Sequence, residues 1–116
     1  MYSRAISANT SGDNTIVPGV PGRGIRLTGV FLRNGTSGDV VTAEWYDGPS
    51  ASGANFTGAI PLANTTPDYI LPICGSYIYG GEGQQGWFTT SPGNALVLNL
   101  SGGDLVVGNV SYTLWP

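Results

Sequence analysis

The chain lacks histidine and lysine altogether and has a single cysteine, Cys74, among its 116 residues. Without histidine there is no Ser-His-Asp or Cys-His arrangement, and without lysine there is neither a Schiff base nor a P-loop lysine. One cysteine forms no intramolecular disulfide and, without histidine, no zinc site. We expect Cys74 to be a small buried hydrophobic residue. The composition predicts a protein that is not an enzyme and has no metal and no cofactor.

Charge is also scarce, since charged residues make up 9% of the chain, against about 25% in an average globular protein. Four arginines and seven acids give a net charge of −3, which argues against nucleic acid as a partner because nucleic-acid binding needs a basic surface. No apolar run approaches the roughly 18 residues of a membrane span, and the N-terminal segment lacks the apolar core of a signal peptide. We therefore expect a soluble protein with no nucleic acid and no membrane among its partners.

Glycine and proline are abundant, at 19 and 8 residues, and they divide the chain into short segments typical of an all-β fold. The pattern predicts an antiparallel two-sheet sandwich, jelly-roll-like, in a single domain over residues 1–116 with a short N-terminal arm at about 1–14. We expect one or two short strands between 63 and 85, and the other strands at 2–7, 15–17, 24–33, 39–46, 56–62, 86–90, 95–100 and 105–115.

Two hairpins are predicted from the turn residues. The first joins residues 24–33 to 39–46, and the second joins 95–100 to 105–115 through Gly102-Gly103, a pair typical of two-residue hairpin loops. In the strand at 24–33 the apolar residues move from odd to even positions. We therefore expect the strand to leave one packing partner for another midway, with a bulge at Gly29. The inward side chains of two strands are predicted from alternation: Val41, Ala43 and Trp45 in one, and Leu96, Leu98 and Leu100 in another.

The charges are divided between two parts of the chain. Residues 1–33 hold the four arginines and one acid, a net of +3, whereas residues 34–116 hold six acids and no base, a net of −6; the two sum to −3. We expect the arginines to dock on an acidic surface, either of a partner protein or of a neighbouring copy. The alternative is that they pair with acids of their own fold. The four are Arg4, Arg23, Arg26 and Arg33.

Paired carboxylates are the remaining chemistry to consider, since glycoside hydrolysis needs two of them about 5 to 9.5 Å apart in a cleft. Glu44 and Glu82 are the two glutamates, with Asp47 and Asp68 as nearby acids. Alternation places Glu44 on an outward strand position, and Glu82 lies in a glycine-rich loop, so nothing brings them face to face. The sequence therefore predicts no catalytic residues.

Aromatic residues offer a second kind of binding surface. Tyr69, Tyr77, Tyr79 and Trp87 lie in or beside the loop-rich stretch, and exposed together they would form an outward platform for a sugar or a protein. The alternative is that Trp45 and Trp87 fill the core while the tyrosines cover its edges. For both tryptophans we favour the core.

Low charge combined with abundant glycine, serine, threonine and asparagine is typical of a subunit that packs against other subunits, because interspersed charge usually keeps a monomer soluble. Two blocks of the sequence also resemble known proteins. They are residues 5–17 (AISANTSGDNTIV) with 22–27 (GRGIRL), and residues 86–90 (GWFTT) with 93–101 (GNALVLNLS). In these blocks the chain resembles small bacteriophage virion proteins of the capsid decoration (cement) type.

The resemblance implies a non-enzymatic β-sandwich on the outer surface of the phage head. It further implies a homotrimer that binds the major capsid protein and stabilises the shell across subunit boundaries. Residues 47–85 depart from the family pattern through extra tyrosine, proline and glycine. The alternative function is a carbohydrate- or host-binding module of a phage tail or fibre that uses the aromatic platform on a host-surface glycan. A tail or head-completion subunit is the third interpretation.

Overall fold

The computed structural model describes residues 2–35, 40–48, 53–63, 69–71 and 87–115, and within these ranges the chain forms strands and turns. None of the described segments is a helix long and apolar enough to cross a membrane. The strands are β1 (Tyr2–Ala8), β2 (Gly12–Val17), β3 (Gly24–Asn34), β4 (Val40–Asp47), β5 (Ile60–Ala63), β6 (Tyr69–Leu71), β7 (Phe88–Thr89), β8 (Leu96–Leu100) and β9 (Val106–Trp115).

The strands form two antiparallel sheets that pack against each other. One sheet has the order β1-β9-β3-β6, with β7 pairing with β3 beside β6, and the other has the order β2-β8-β4-β5. If β6 and β7 are counted as one position, this is the strand order of a jelly roll. The predicted all-β sandwich is therefore confirmed.

Both predicted hairpins are wrong, because the chain changes sheets at each of these turns. Strand β3 pairs with β9 and β4 pairs with β8, and neither β3 with β4 nor β8 with β9 shares a sheet. A two-residue hairpin loop requires positive φ at one or both central residues. Among the described glycines, positive φ occurs at Gly12, Gly22 and Gly93 but not at Gly102 or Gly103. Residues 101–105 therefore carry the chain across to the other sheet.

The predicted bulge in β3 is confirmed and explains the uneven alternation of that strand. The register with β9 shifts between Leu27 and Gly29, which leaves Thr28 as the additional residue. Before the bulge Ile25 and Leu27 are buried, and after it Val30 and Leu32 are buried, all in one core. Both halves of the strand therefore pack against the same core, and the prediction that the strand changes its packing partner midway is wrong.

The core lies between the inner faces of the two sheets. Val41, Ala43 and Trp45 of β4 are fully buried, and so are Leu96 and Leu98 of β8, with Leu100 almost so, as alternation predicted. Trp45 packs against Phe88 of the opposite sheet, with ring centroids 6.2 Å apart. Phe88 also stacks on Phe56 at 4.6 Å. These rings fill the space between the sheets near the end where β4 finishes.

One buried polar side chain also joins the sheets. Asn34, at the end of β3, donates a hydrogen bond from Nδ2 to the carbonyl oxygen of Leu62 in β5 at 3.0 Å. Strand β5 is the edge of its sheet and pairs only with β4 among the described strands, and Pro61 is tolerated there because an edge strand leaves alternate N–H groups unpaired. At the opposite edges, the residues expected as an N-terminal arm form β1 and the start of β2.

Candidate binding surface

The four arginines occupy three different parts of the sandwich. Arg4 lies on the edge strand β1 and donates to the carbonyl oxygen of Ile16 at 3.4 Å, in a cavity of about 350 Å³ between β1 and β2. Arg23 precedes β3 and donates to the carbonyl oxygen of Leu114 at 3.4 Å. Arg26 and Arg33 lie near opposite ends of β3. The structure therefore brings Arg23 and Arg26 to one end of β3 and places the other two elsewhere.

The outward side chains of the five-stranded sheet form what we call the arginine face. Because Ile25 and Leu27 point into the core, Arg26 between them points outward, and beyond the bulge Phe31 and Arg33 do the same. The outward side chains in the middle of strand β9 are asparagine, serine and threonine, and those near its two ends are Val107 and Trp115. The members used below are Arg26, Phe31, Arg33, Trp87, Thr89, Asn109, Ser111, Thr113 and Trp115.

Arg26 is held by two contacts on this face. Its Nε donates to Oγ1 of Thr89 at 3.1 Å, and its guanidinium carbon lies 3.9 Å from the ring centroid of Trp115. The cross-strand register explains both contacts, because Arg26 is paired with Thr89 of β7 on one side and with Thr113 of β9 on the other. The residue is 7% exposed, and this burial lowers the pKa of the Arg26 guanidinium.

Large apolar side chains are exposed on the arginine face. Phe31 is 38% and Trp87 45% exposed. Trp87 follows the outward alternation of β7, and its backbone N–H donates to the carbonyl oxygen of Leu27 at 2.8 Å. The prediction that Trp87 fills the core is therefore wrong, whereas the same prediction for Trp45 is confirmed. The physical reason is that β7 has one inward place, and Phe88 takes it.

The outward side of the four-stranded sheet forms a second surface, which we call the acidic face: Asp13, Glu44, Tyr46 and Asn99. Asn99 of β8 is paired with Asp13 of β2 and with Glu44 of β4, so the three lie in one row across the sheet. Asn99 donates from Nδ2 to Oδ1 of Asp13 at 2.7 Å. Tyr46 donates its hydroxyl hydrogen to Oε2 of Glu44 at 2.6 Å, and this bond raises the pKa of Tyr46.

The acids considered for glycoside hydrolysis do not share a cleft in the described part of the chain. Glu44 points outward from β4, and Asp47, three residues later, points to the other side. Asp47 accepts hydrogen bonds from the backbone N–H and hydroxyl of Ser91 and from Nδ2 of Asn94, which ties the 91–94 turn to β4. Glu82 and Asp68 lie outside the described residues.

The aromatic platform is described only in part. Trp87 is on the arginine face, and Tyr69 begins β6, where its backbone is paired with Leu32 of β3. Tyr77, Tyr79 and Cys74 lie outside the described residues. Within the described ranges no three residues among His, Cys, Asp and Glu are grouped as a metal site would require.

Sequence reasoning missed two residues of the arginine face. Thr89 and Trp115 hold Arg26, yet both come from strands far from it in sequence, and only the cross-strand register shows that they meet. The available signal was the outward alternation of Thr113 and Trp115 at the end of β9.

No family model, no curated protein and no solved structure matches this chain. The resemblance to phage decoration proteins therefore stays a prediction.

Proposed function

We propose that this chain is a non-enzymatic decoration protein of a bacteriophage head, which binds the outside of the shell and stabilises it across subunit boundaries. The observation that carries the proposal is the arginine face. It combines two arginines with exposed aromatic rings, and no described acid lies on it. A sheet surface of this composition is suited to bind an acidic protein surface, because arginine and aromatic residues are enriched in protein interfaces.

The polar part of this face supports the same function. Between Arg26 and Arg33, β9 presents Asn109, Ser111 and Thr113 toward solvent. Short hydroxyl and amide side chains make hydrogen bonds to a partner with less loss of rotamer entropy than lysine or glutamate. A shell carries many copies of such a subunit. Each hydrogen bond that this surface makes to the shell is therefore repeated in every copy.

Self-association into a homotrimer is part of the proposal. It is supported by the composition: charged residues make up 9% of the chain, and a surface with so little charge is suited to pack against other subunits. Sedimentation equilibrium measures this directly: we expect a particle with three times the 12.0 kDa mass of the chain, and a monomer at all concentrations would contradict the trimer.

The proposal is tested by counting the chain in purified particles of the virus that encodes it, using quantitative mass spectrometry. We expect hundreds of copies, in fixed proportion to the major capsid protein. A few copies to a few tens would place the chain in the tail or at the vertices and contradict the decoration role. Absence from the particle would exclude both.

Exposed Trp87 favours a second candidate, a carbohydrate- or host-binding module of a tail or fibre. Sugars stack on exposed aromatic rings. Titration of the chain with host-surface glycans should then quench tryptophan fluorescence, and a Trp87→Phe variant should remove that quenching. Unchanged fluorescence with every glycan would leave the decoration role as the better account.

A further inference from the structure

Arg26 has an orientation fixed by the fold. The hydrogen bond from Nε to Thr89 holds one edge of the guanidinium, and the stack on Trp115 holds its plane. A guanidinium stacked on tryptophan and tied at Nε keeps its two terminal amino groups in one position. The side chain is therefore preorganised before any partner arrives.

Arg26 also has no carboxylate partner in the described part of the chain, although it is only 7% exposed. Buried charges are normally paired, because taking an unpaired charge out of water is costly. In the described ranges, two buried polar atoms lack a hydrogen bond, Thr28 Oγ1 and Trp45 Nε1. The terminal nitrogens of Arg26 also lack a hydrogen-bond partner there, yet they are not among these buried atoms. Both terminal nitrogens therefore reach solvent at the arginine face, where they are accessible to a ligand.

We propose that the two terminal amino groups of Arg26 bind the carboxylate of an acidic side chain on a partner protein, as a bidentate pair. The planar fork of arginine matches the two oxygens of a carboxylate. A polyanion such as nucleic acid is disfavoured by the net charge of −3. For the identity of the partner, an acidic residue of the shell subunit, the inference rests on the proposed function.

The neighbourhood of Arg26 explains how such a pair would contribute to binding. Exposed Trp87, whose backbone N–H donates to the carbonyl oxygen of Leu27 next to Arg26, lies on the same face, and apolar side chains around a charged contact exclude water when two surfaces meet. A charge pair protected from water depends strongly on geometry, because each partner left alone is a buried charge. The Arg26 site is therefore expected to determine which acidic surface the protein accepts.

The first test measures binding of variants to heads that lack the chain. Arg26→Lys keeps the charge but loses the fork and the stack, so we expect affinity to fall at least tenfold. Thr89→Val removes the anchor of Nε and should reduce affinity several-fold. Arg4→Lys, on a different edge of the sandwich, is the matched control and should bind within twofold of the unchanged chain. Circular dichroism verifies that each variant is folded.

The second test uses the isolated chain and does not depend on the virus. Nitrogen-15 spectra of the arginine side chains are recorded during titration with a hexaglutamate peptide, with hexaglutamine and with inorganic phosphate. We expect saturable shifts of the Arg26 terminal nitrogens with hexaglutamate alone, and their loss in Thr89→Val. No shift, or a stronger response to phosphate, would overturn the carboxylate site.

The two tests separate the inference from the proposed function. Hexaglutamate shifts at Arg26 in a chain that is absent from heads would support the site and overturn the decoration role. A chain present on heads whose Arg26→Lys variant binds as tightly as the unchanged protein would support the decoration role and overturn the site.

Discussion

The two outer faces of this sandwich are built on the same core but differ in how their polar groups are satisfied. On the acidic face, Asn99 bonds to Asp13 and Tyr46 bonds to Glu44, so the charged groups have partners within the fold. On the arginine face, Arg26 is oriented by Thr89 and Trp115 without a described carboxylate. The difference shows that net charge alone does not identify a binding surface. The arrangement of partners around each charge is more informative.

The two faces also differ in the kind of apolar side chain that they expose. Phe31 and Trp87 are exposed in the arginine face. On the acidic face, Val97 is an outward residue of β8 yet is fully buried, and the exposed apolar residue is Val40 at the first position of β4. The arginine face therefore presents aromatic rings to solvent, whereas the acidic face exposes an aliphatic side chain.

The largest expected effect separates the core from the arginine face by comparing two tryptophans. Trp45 is fully buried and Trp87 is 45% exposed. Trp45→Ala should reduce the free energy of unfolding by about 3–5 kcal/mol because it leaves a large cavity. Trp87→Ala should reduce it by about 1 kcal/mol or less. Urea denaturation of both variants measures this, and equal losses would contradict the outward placement of Trp87.

The next effect compares two buried threonines beneath the arginine face. Thr90 Oγ1 accepts a hydrogen bond from the backbone N–H of Ile25 and donates to the carbonyl oxygen of Asn94, whereas Thr28 Oγ1 is buried with no hydrogen-bond partner in the described part of the chain. Thr90→Val should reduce the free energy of unfolding by about 1–3 kcal/mol, because it leaves a buried N–H without an acceptor. Thr28→Val should leave stability unchanged or raise it. Thermal unfolding of the two variants measures these effects. An equal loss of stability in Thr28→Val and Thr90→Val would contradict the prediction.

Charge reversal tests which face docks. Replacing exposed Arg33 by Glu should weaken binding to heads by about tenfold, equivalent to about 1.4 kcal/mol, because like charges then face an acidic surface. Replacing exposed Asp13 by Lys is the matched reversal on the other face, and binding should change less than twofold. Pull-down with purified heads measures both. Stronger loss from the acidic-face variant would reverse the assignment.

The smallest effect concerns the ionisation of Tyr46. The pKa of Tyr46 is raised, first by its hydrogen bond to Glu44 and further by burial and nearby negative charge. A raised folded-state pKa stabilises the protein below the ordinary tyrosine pKa of about 10, and this contribution is lost as the pH rises through the folded value. Glu44→Gln should lower the Tyr46 pKa toward its ordinary value.

Absorbance at 295 nm during alkaline titration measures that shift, with Tyr46→Phe used to assign the signal. An unchanged pKa in Glu44→Gln would mean that the acidic face is less tightly bonded than the geometry indicates.

The sequence predicted burial better than pairing. Alternation identified the inward residues of β4 and β8, and the shift from odd to even positions identified the bulge in β3. Partners could not be predicted in the same way, because a buried strand of a jelly roll has the same alternation whichever strand lies beside it. The glycines at 102 and 103 indicated a turn but not whether the chain stays in its sheet.

The candidate site was predicted in its charges but not in its geometry. Arg26 was predicted to be a docking residue from its position in the basic third of the chain, while its contacts with Thr89 and Trp115 required the pairing of β3 with β7 and β9. Trp87 was misplaced because a strand of two residues has too few positions for alternation to decide between Trp87 and Phe88.

The central claim is that the arginine face binds the shell of a phage head. Electron cryomicroscopy of decorated heads tests it most directly, because the map shows which sheet meets the shell. We predict density for the five-stranded sheet against the shell, with an acidic side chain of a capsid subunit beside Arg26. Contact through the four-stranded sheet, or heads without density for the chain, would contradict it.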